Sequence, residues 1–365
     1  MLYEIHMLKN YPPVNLNRDD TGSPKTCFFG GSQRGRISSQ CLKHTWRTSE
    51  LYKNLLGNCG IRTRALPELV RSELITRGAE EAFAEEAAKK ASGLANKDGK
   101  ESDTGATGQM IFYSADDIKA VADKMESLLE EKGSLKAFAA LKAKDIAGAF
   151  KDVNTRPVTL DIAMFGRMVT SDVFRNVEAA VQVAHAVSIH TVNQESDYFT
   201  AADDLLKEGE TGAGMIGDID YNSCCYYFYV AIDTDILAEN LKDSPDAAGY
   251  IKDILPAFIK LMAFSDPTGK QNSFAGHVLP SLICVEKKET KIPVSLVNAF
   301  AKPVNARRGE VVKDGADALK KEIDTNDKCF GIPSERFWFT KDGFEAPEKG
   351  TVCASVQELC EKCAE

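Results

Sequence analysis

A glycine-rich segment between Leu16 and Arg47 concentrates positive charge in a chain that is acidic as a whole. Its only acidic residues are the adjacent aspartates at positions 19 and 20, whereas the 365-residue chain carries a net charge of −9. The six cations of the segment are Arg18, Lys25, Arg34, Arg36, Lys43 and Arg47. Cationic side chains, together with glycines that allow close backbone approach, predict an anionic partner.

The end of this segment is predicted to form the N-terminus of a helix. Ser38, Ser39 and Gln40 lie at its start, where serine side chains cap helices and free backbone N–H groups attract anions. Lys43 and Arg47 are four residues apart, so they share one helical face. The pattern indicates a partner that carries phosphate groups. An ordinary solvated face is the alternative interpretation of these two cations.

Sequence motifs of common enzyme classes are absent. The chain has no G-x-S-x-G motif, and Gly269-Lys270 lacks the upstream glycine of a phosphate-binding loop. Asp19 and Asp20 would point apart on an extended chain, so we expect them to form salt bridges with neighbouring cations rather than bind a metal. These observations favour a binding function over catalysis.

The histidines do not have the spacing of a metal site. His185 and His190 are five residues apart, which does not place two ligands on one helical face. His6 lies in an alternating segment without a second histidine or cysteine at ligand spacing, and we expect it to pack within a strand. We therefore predict no metal and no cofactor.

The composition is typical of an intracellular globular protein of one large or two modest domains. Hydrophobic residues make up 43 % of the chain and charged residues 27 %. No signal peptide or membrane span is evident, so we expect a cytoplasmic protein whose ten cysteines are reduced. Near the end of the chain a C-x-x-C spacing is a weak indication of a zinc or redox site, because a fourth zinc ligand is not evident. The cysteines concerned are Cys353, Cys360 and Cys363.

The first half of the chain is predicted to begin with a strand and to continue as helices. Residues 1–9 alternate apolar and polar side chains, and a helix should run from Ser38 or Ser39 to about Leu56. Residues 57–155 are predicted to be a mostly helical insertion. Within this insertion, residues 92–109 are polar and glycine-rich, which is typical of a mobile loop.

The second half is predicted to alternate strands and helices. Residues 193–222 have no clear period but carry several glycines around Met215 and Ile216, which indicates a lid, a wedge or a docking arm; a surface loop is the alternative. Residues 301–308 form a second small basic patch. We predict strands at 158–165, 224–232, 278–285 and 292–298 and helices at 177–189 and 245–265.

Several motifs together resemble one family. They begin with LNRDD (16–20), FGG (29–31) and RISSQ (36–40), followed by Leu42-Lys43. Further matches are DIAMFGRMVTS (161–171), AHAVSIH (184–190), DYFTAADDL (197–205), GKQNSF (269–274) and VNAFAKPVNARRG (297–309). In this order they resemble the Cascade backbone subunit, CasC, of type I-E CRISPR effector complexes.

The resemblance implies an α+β protein with a hand-like organisation. The palm would be ferredoxin-like and RRM-like, with an antiparallel sheet, and would comprise residues 1–56 and 156–365. Residues 57–155 would be helical fingers, and residues 193–222 a protruding thumb loop.

The resemblance also implies an RNA-binding subunit without catalytic activity. Several copies would line the spacer of one CRISPR RNA (crRNA), next to the other Cascade subunits. Each thumb would reach its neighbour and displace a base at a regular interval, leaving the remaining bases free to pair with target DNA. A guide-RNA processing endonuclease on a related fold is the alternative, and it would need a positioned acid or base among His6, His185 and His190.

The site residues follow from the same resemblance. The RNA backbone would be held by Arg18, Lys25, Arg36, Ser38, Gln40, Lys43 and Arg47. Met168 and Thr200 would lie beside the kinked nucleotide, and Met215 or Ile216 would be the wedge between bases. Lys270 and Arg307 are weaker candidates. The chain departs from the family at His44, where a basic residue is common, and at Ser32-Gln33, which is less basic than usual.

Overall fold

The computed structural model describes residues 1–96, 105–142, 146, 148–150, 157–171, 173–201, 215–341 and 350–364. These residues form two compact units. The first comprises Met1–Leu55, Gln182–Asp233 and Asp253–Glu365. The second comprises Leu56–Val181 and Thr234–Lys252.

A large, mostly antiparallel sheet dominates the first unit. Among the described residues its strands, in order across the sheet, are β13 (Thr351–Cys353), β12 (Glu335–Thr340), β11 (Leu282–Lys288), β1 (Leu2–Asn10), β10 (Cys225–Asp233), β7 (Ala186–Ser188), β3 (Ser32–Ile37) and β2 (Thr26–Phe29). The short β6 (Val181–Val183) pairs with β10 off this path. A separate antiparallel hairpin consists of β8 (Gln194–Ala201) and β9 (Met215–Asn222).

Alternation along β1 assigns its side chains to the two faces of the sheet. Leu2 and Leu8 belong to an apolar cluster with Ile323 of a long helix, here named α11 (Val311–Phe330). Lys9 faces the opposite way, since its ammonium donates to the Ala263 carbonyl at 3.2 Å. β1 is therefore a buried central strand, which confirms the strand predicted at residues 1–9.

Helices cover both faces of this sheet. α11 lies on one face, and on the other are α1 (Ser39–Thr48) and α9 (Ala247–Phe264), where the Trp46 and Phe258 rings meet edge to face at 5.2 Å. The remaining helices of the first unit are α2 (Glu50–Leu56), α10 (Gln271–Phe274) and α12 (Val356–Ala364). The α+β class and the large antiparallel sheet are thus confirmed.

The second unit is mostly helical and has a core of its own. Phe83 and Phe138 meet edge to face there, and the Arg167 guanidinium donates to buried Asp117 at 2.6 Å. A short hairpin, β4 (Ile61–Thr63) with β5 (Ile111–Tyr113), accompanies the helices. They are α3 (Leu66–Thr76), α4 (Glu81–Ala91), α5 (Ala115–Lys132), α6 (Leu135–Ala139), α7 (Leu160–Phe165) and α8 (Thr234–Leu241). The predicted loop at 92–109 lies partly outside the described residues.

Two predicted elements have the opposite secondary structure. The strand expected at 158–165 is helix α7, which Thr159 precedes and Gly166 ends with a φ of 81°. The buried helix expected at 177–189 is instead β6 and β7, where valines at 181, 183 and 187 suit strands beside β10. Short apolar runs carry too little periodicity to separate these states.

Two further predictions differ in detail. The strand expected at 292–298 is irregular before a 3₁₀-helix at Leu296–Phe300. There Val294 N donates to the Glu4 carboxylate and Leu296 N to the Tyr227 hydroxyl. These backbone N–H groups therefore bond to side chains and not to a neighbouring strand. The helix expected at 38–56 is interrupted at Ser49, whose hydroxyl donates to the Trp46 carbonyl and ends α1.

Candidate nucleic-acid interface

A hairpin at one edge of the sheet presents the basic segment. β2 and β3 pair antiparallel, and Gly30 and Gly31 connect them with φ values of 58° and 76°, a conformation that glycine adopts readily. Gly30 also lies against the backbone of Ala301, because a Cβ at this position would be only 1.7 Å from the Ala301 carbonyl oxygen. The hairpin turn is therefore packed tightly against the backbone at Ala301, in the same unit.

Backbone hydrogen bonds bring three parts of the basic segment to one point. Lys25 N donates to the Asn17 carbonyl at 2.8 Å, and Arg36 N donates to the Lys25 carbonyl at 2.9 Å. The Asn17 side-chain oxygen in turn accepts from Ser38 N at 2.9 Å. Lys25, Arg36 and Ser38, all predicted RNA contacts, are thus brought together.

Arg36 and Lys25 form a pair that we call the cation cluster, and His185 lies beside it. The Arg36 guanidinium contacts His185 Nδ1 at 3.1 Å, and Arg36 Nε donates to the Thr26 carbonyl at 3.2 Å. Partial burial, followed by the charges of Arg36 and Lys25, lowers the pKa of His185. Sequence reasoning missed His185, because nothing in the spacing indicates that β7 lies beside β3.

The N-terminus of α1 adjoins this cluster. Ser38 caps the helix by accepting from Cys41 N at 3.3 Å, and the first turn contains no acidic residue. Burial raises the pKa of the Cys41 thiol, and the nearby Lys25 charge partly opposes that effect. Gln40 is exposed at the same helix end. The predicted arrangement of cations beside a helix N-terminus is therefore present.

Lys43 and Arg47 follow on the next turns of α1. Both side chains are partly exposed, and burial lowers the pKa of Lys43. Their four-residue spacing within one continuous helix places them on one face, as predicted.

Arg34 does not belong to the exposed cations. It is fully buried and donates to the carbonyls of Ser188 and Phe300 at 2.9 and 2.8 Å and to the Ser32 hydroxyl at 2.8 Å. Its guanidinium thereby joins β3 to β7 and to the 3₁₀-helix. One of the six cations of the segment is structural.

The loop with Arg18 is shaped by Asp19. The Asp19 carboxylate accepts from the Thr21 hydroxyl at 2.7 Å and from backbone N–H groups of Thr21 and Ser23. These bonds, the Thr21 hydroxyl first, lower the pKa of Asp19. The predicted salt bridges of Asp19 are thus replaced by turn hydrogen bonds, and Arg18 is exposed beside the turn.

The β8–β9 hairpin brings together three of the predicted site residues. Thr200 pairs with Ile216 across the strands, and Met215 pairs with Ala201 next to them. Met215 and Ile216 are 60 % and 61 % exposed, which is unusual for large apolar side chains. Residues 202–214 of the predicted thumb loop lie outside the described part of the chain.

The root of this hairpin is bonded to the basic segment. The Asp220 carboxylate accepts from the Ser23 hydroxyl at 2.6 Å and from Gln194 Nε2 at 2.7 Å. The Asn15 amide donates to the Asp220 carbonyl at 2.8 Å and to the Gly22 carbonyl at 3.0 Å. The predicted wedge and the Arg18 loop therefore share one set of supports.

Lys270 lies close to the start of the basic segment. A Cβ on the preceding Gly269 would be 2.3 Å from the Leu16 carbonyl oxygen, so the two segments of the backbone are in contact. Lys270 itself has a φ of 52°, which non-glycine residues adopt only rarely. Asp266 anchors the turn by accepting from Lys9 and from the Tyr11 hydroxyl, both at 2.5 Å.

Arg307 and Met168 are exposed, each in a different unit. Arg307 lies in a short 3₁₀-helix, Ala306–Arg308, which Asn305 caps. Val304, just before it, donates to the Ile189 carbonyl at 2.9 Å. Met168 belongs to the second unit, where its side chain is 90 % exposed.

A buried group of acidic and imidazole side chains has the composition and spacing of a metal site, but a lysine lies against its carboxylates. Among the described residues, Glu4, His6 and Glu286 are the one group close enough to hold an ion. Lys288 contacts both carboxylates and already supplies the positive charge. His6 Nδ1 lies 2.8 Å from the Tyr227 hydroxyl, in agreement with its predicted packing role.

His190 and the buried cysteines have structural surroundings. His190 is buried, with Nε2 accepting from Cys225 N at 3.1 Å. None of the ten cysteines forms a disulfide, and burial raises the pKa of Cys360 to about 11. Across the described helices, no segment is long and apolar enough to span a membrane.

Comparison with known proteins decides the family. The model of the family Cas_CT1975, described as CT1975-like protein, matches residues 3–362. The chain belongs to this family. This match confirms the resemblance to the type I-E Cascade backbone subunit that the sequence motifs indicated. No curated protein matches it.

Two solved structures match the Cas_CT1975 chain over its full length. One, titled "CRISPR RNA-guided surveillance complex, pre-nicking", has a TM-score of 0.84 at 25 % identity, covering 100 % of this chain and 99 % of that chain. Another, titled "CRISPR RNA-guided surveillance complex", has a TM-score of 0.74 at 22 % identity with the same coverage. The second supports the shared fold alone.

Proposed function

We propose that this chain is the non-catalytic backbone subunit of a type I-E Cascade complex. Copies would bind side by side along the crRNA spacer, hold its phosphates and leave bases free to pair with target DNA. The cation cluster beside the capped N-terminus of α1 carries this proposal, because cations and helix N-termini bind phosphates without reading bases. A guide with a variable spacer requires such sequence-independent contacts.

The strand order supports an RRM-like palm. In the first unit the order β11-β1-β10-β7, with α1 after β1 and α9 after β10, corresponds to a βαββαβ ferredoxin-like arrangement. The second unit would then contribute the fingers, and the β8–β9 hairpin would be the thumb. The match to a surveillance-complex chain agrees with this interpretation.

The thumb would separate bases with apolar side chains. Met215 and Ile216 are exposed next to Thr200, and apolar residues inserted between bases unstack them. Met168 would lie beside the displaced nucleotide, while Arg18, Gln40, Lys270 and Arg307 would add contacts to the backbone.

The endonuclease alternative has less support. His6 and His190 are buried and bonded to other groups, so neither presents an acid or base to RNA. His185 is exposed beside Arg36, so it is the histidine that this alternative would have to use. Incubation of the protein with precursor guide RNA tests this point. Specific cleavage that disappears when one histidine is replaced would favour the endonuclease.

The backbone-contact role predicts the behaviour of a double variant. Lys43→Ala with Arg47→Ala should weaken binding of unrelated guide RNAs to a similar extent, because phosphates are common to all sequences. The dependence of log K on log salt should become shallower by about 1.4, since each contact to a single strand contributes about 0.7. Fluorescence anisotropy at several salt concentrations measures both effects.

Lys321→Ala with Lys328→Ala is the matched control. Both lysines are exposed on α11, which covers the other face of the sheet, so affinity and salt dependence should stay unchanged. A loss that differs strongly between RNA sequences would contradict the proposal.

A further inference from the structure

The cation cluster determines the hydrogen-bonding state of His185. A guanidinium can only donate hydrogen bonds, so His185 Nδ1, at 3.1 Å from Arg36, must accept. The imidazole is therefore neutral, with its proton on Nε2. The Nε2–H group is left as a donor on an exposed side chain.

The surroundings maintain this neutral form. Protonation of Nδ1 would bring two N–H donors and two positive charges together at the Arg36 contact. Partial burial first, and then the charges of Arg36 on β3 and Lys25 just before β2, lower the pKa of His185. These effects and the Arg36 contact all favour the neutral imidazole in the free protein.

We propose that His185 is an additional RNA contact, and that its neutral Nε2–H donates to the same phosphate that Arg36 and Lys25 attract. This inference rests on the proposed function. Arg36 is held from one side by the Thr26 carbonyl and from the other by His185, so the pair presents its donors as one unit. A neutral N–H donor contributes a directional hydrogen bond to a phosphate oxygen without adding positive charge to the site.

Three substitutions of His185 separate donation from orientation of Arg36. His185→Ala removes both functions. His185→Asn keeps an oxygen near the Nδ1 position but cannot reach the phosphate, whereas His185→Gln has an amide donor near the Nε2 position. If Nε2–H contacts the phosphate, Ala and Asn should both weaken guide-RNA binding about tenfold, and Gln less than threefold.

The pH profile tests the charge state of the donor. A neutral donor predicts the same ratio of wild-type to His185→Ala affinity at pH 7 and pH 8.5. A ratio that falls to one at pH 8.5 would mean that imidazolium charge is responsible and would overturn the proposal. Wild-type affinity in His185→Asn would also overturn it, because orientation of Arg36 would then suffice.

His44→Ala is the control, since His44 is exposed on α1 but is not a proposed contact; it should bind as the wild type. Thermal unfolding of each variant verifies folding, and His185→Gln keeps the test valid if His185→Ala is unstable. The two proposals fail separately. If the wild type binds guide RNA in the expected sequence-independent way but His185→Ala binds equally well, only the His185 contact is wrong.

Discussion

Two arginines of β3 have different roles although they are only two residues apart. Arg34 and Arg36 lie on the same face of the strand, so their spacing does not distinguish them. Their surroundings distinguish them. Buried Arg34 donates to the carbonyls of Ser188 and Phe300, whereas Arg36 is partly exposed beside His185. The basic segment could be recognised from the sequence, but which arginine is buried and which is exposed depends on distant parts of the chain.

This difference predicts that the same substitution affects stability at Arg34 and RNA binding at Arg36. Arg34→Met should lower the free energy of unfolding by about 3 kcal/mol, because two buried carbonyls lose their charged donor. Arg36→Met should lower it by less than about 1 kcal/mol but weaken RNA binding. Urea denaturation and anisotropy measure the two properties. Equal losses of stability in the two variants would contradict these assignments.

At the level of elements, the β8–β9 hairpin stands out because most of its side chains are exposed. A two-stranded hairpin is only marginally stable by itself in water. Its root is held by Asp220, which accepts from Ser23 and Gln194. Among the described residues, none gives comparable support to the end with Met215 and Ile216, which suits an element that contacts RNA.

The wedge role predicts a specific change in guide RNA. Replacing Met215 and Ile216 by glycine should leave the protein folded but remove the periodic reactivity of spacer bases to chemical probes, because no apolar side chain would keep bases unstacked. Leu279→Gly with Ile292→Gly, two exposed apolar residues elsewhere in the first unit, is the control. An unchanged probing pattern in the first variant would exclude the wedge.

The sequence predicted long elements better than short ones. β1, β10 and α9 have clear periodicity or strong strand propensity and formed as expected. The predictions of a strand at 158–165 and of a helix at 177–189 are wrong, because the actual elements there are a helix at Leu160–Phe165 and strands at Val181–Val183 and Ala186–Ser188, all too short to show a period. In the second case pairing beside β10 decided the structure, and that information is not local.

A buried charge network joins sheet strands that are distant in sequence to α11. Arg336 donates to Glu286 and to Asp327, while Lys288 lies 3.1 Å from Glu286. Burial alone would raise the pKa of Glu286. The His6 hydrogen bond and the charges of His6, Lys288 and Arg336 outweigh it, so the pKa lies well below its ordinary value.

This network predicts a pH dependence of stability. A carboxyl with a lowered pKa stabilises the folded state above its ordinary pKa of 4.5, and the contribution is lost as the pH falls below that value. Glu286→Gln should lower the free energy of unfolding at pH 7 by about 3 kcal/mol and reduce its decline in acid. Glu335→Gln is the control, because Glu335 is exposed. A wild-type acid profile in Glu286→Gln would contradict this role.

Copies of this chain are proposed to line a guide RNA without regard to its sequence. The most direct test is the native mass of complexes assembled with the other Cascade subunits on guides of increasing spacer length, each in two unrelated sequences. The proposed function predicts that the number of copies rises in regular steps with spacer length, identically for both sequences, and that the guide stays intact. A copy number that ignores spacer length, or that differs between the two sequences, would contradict it.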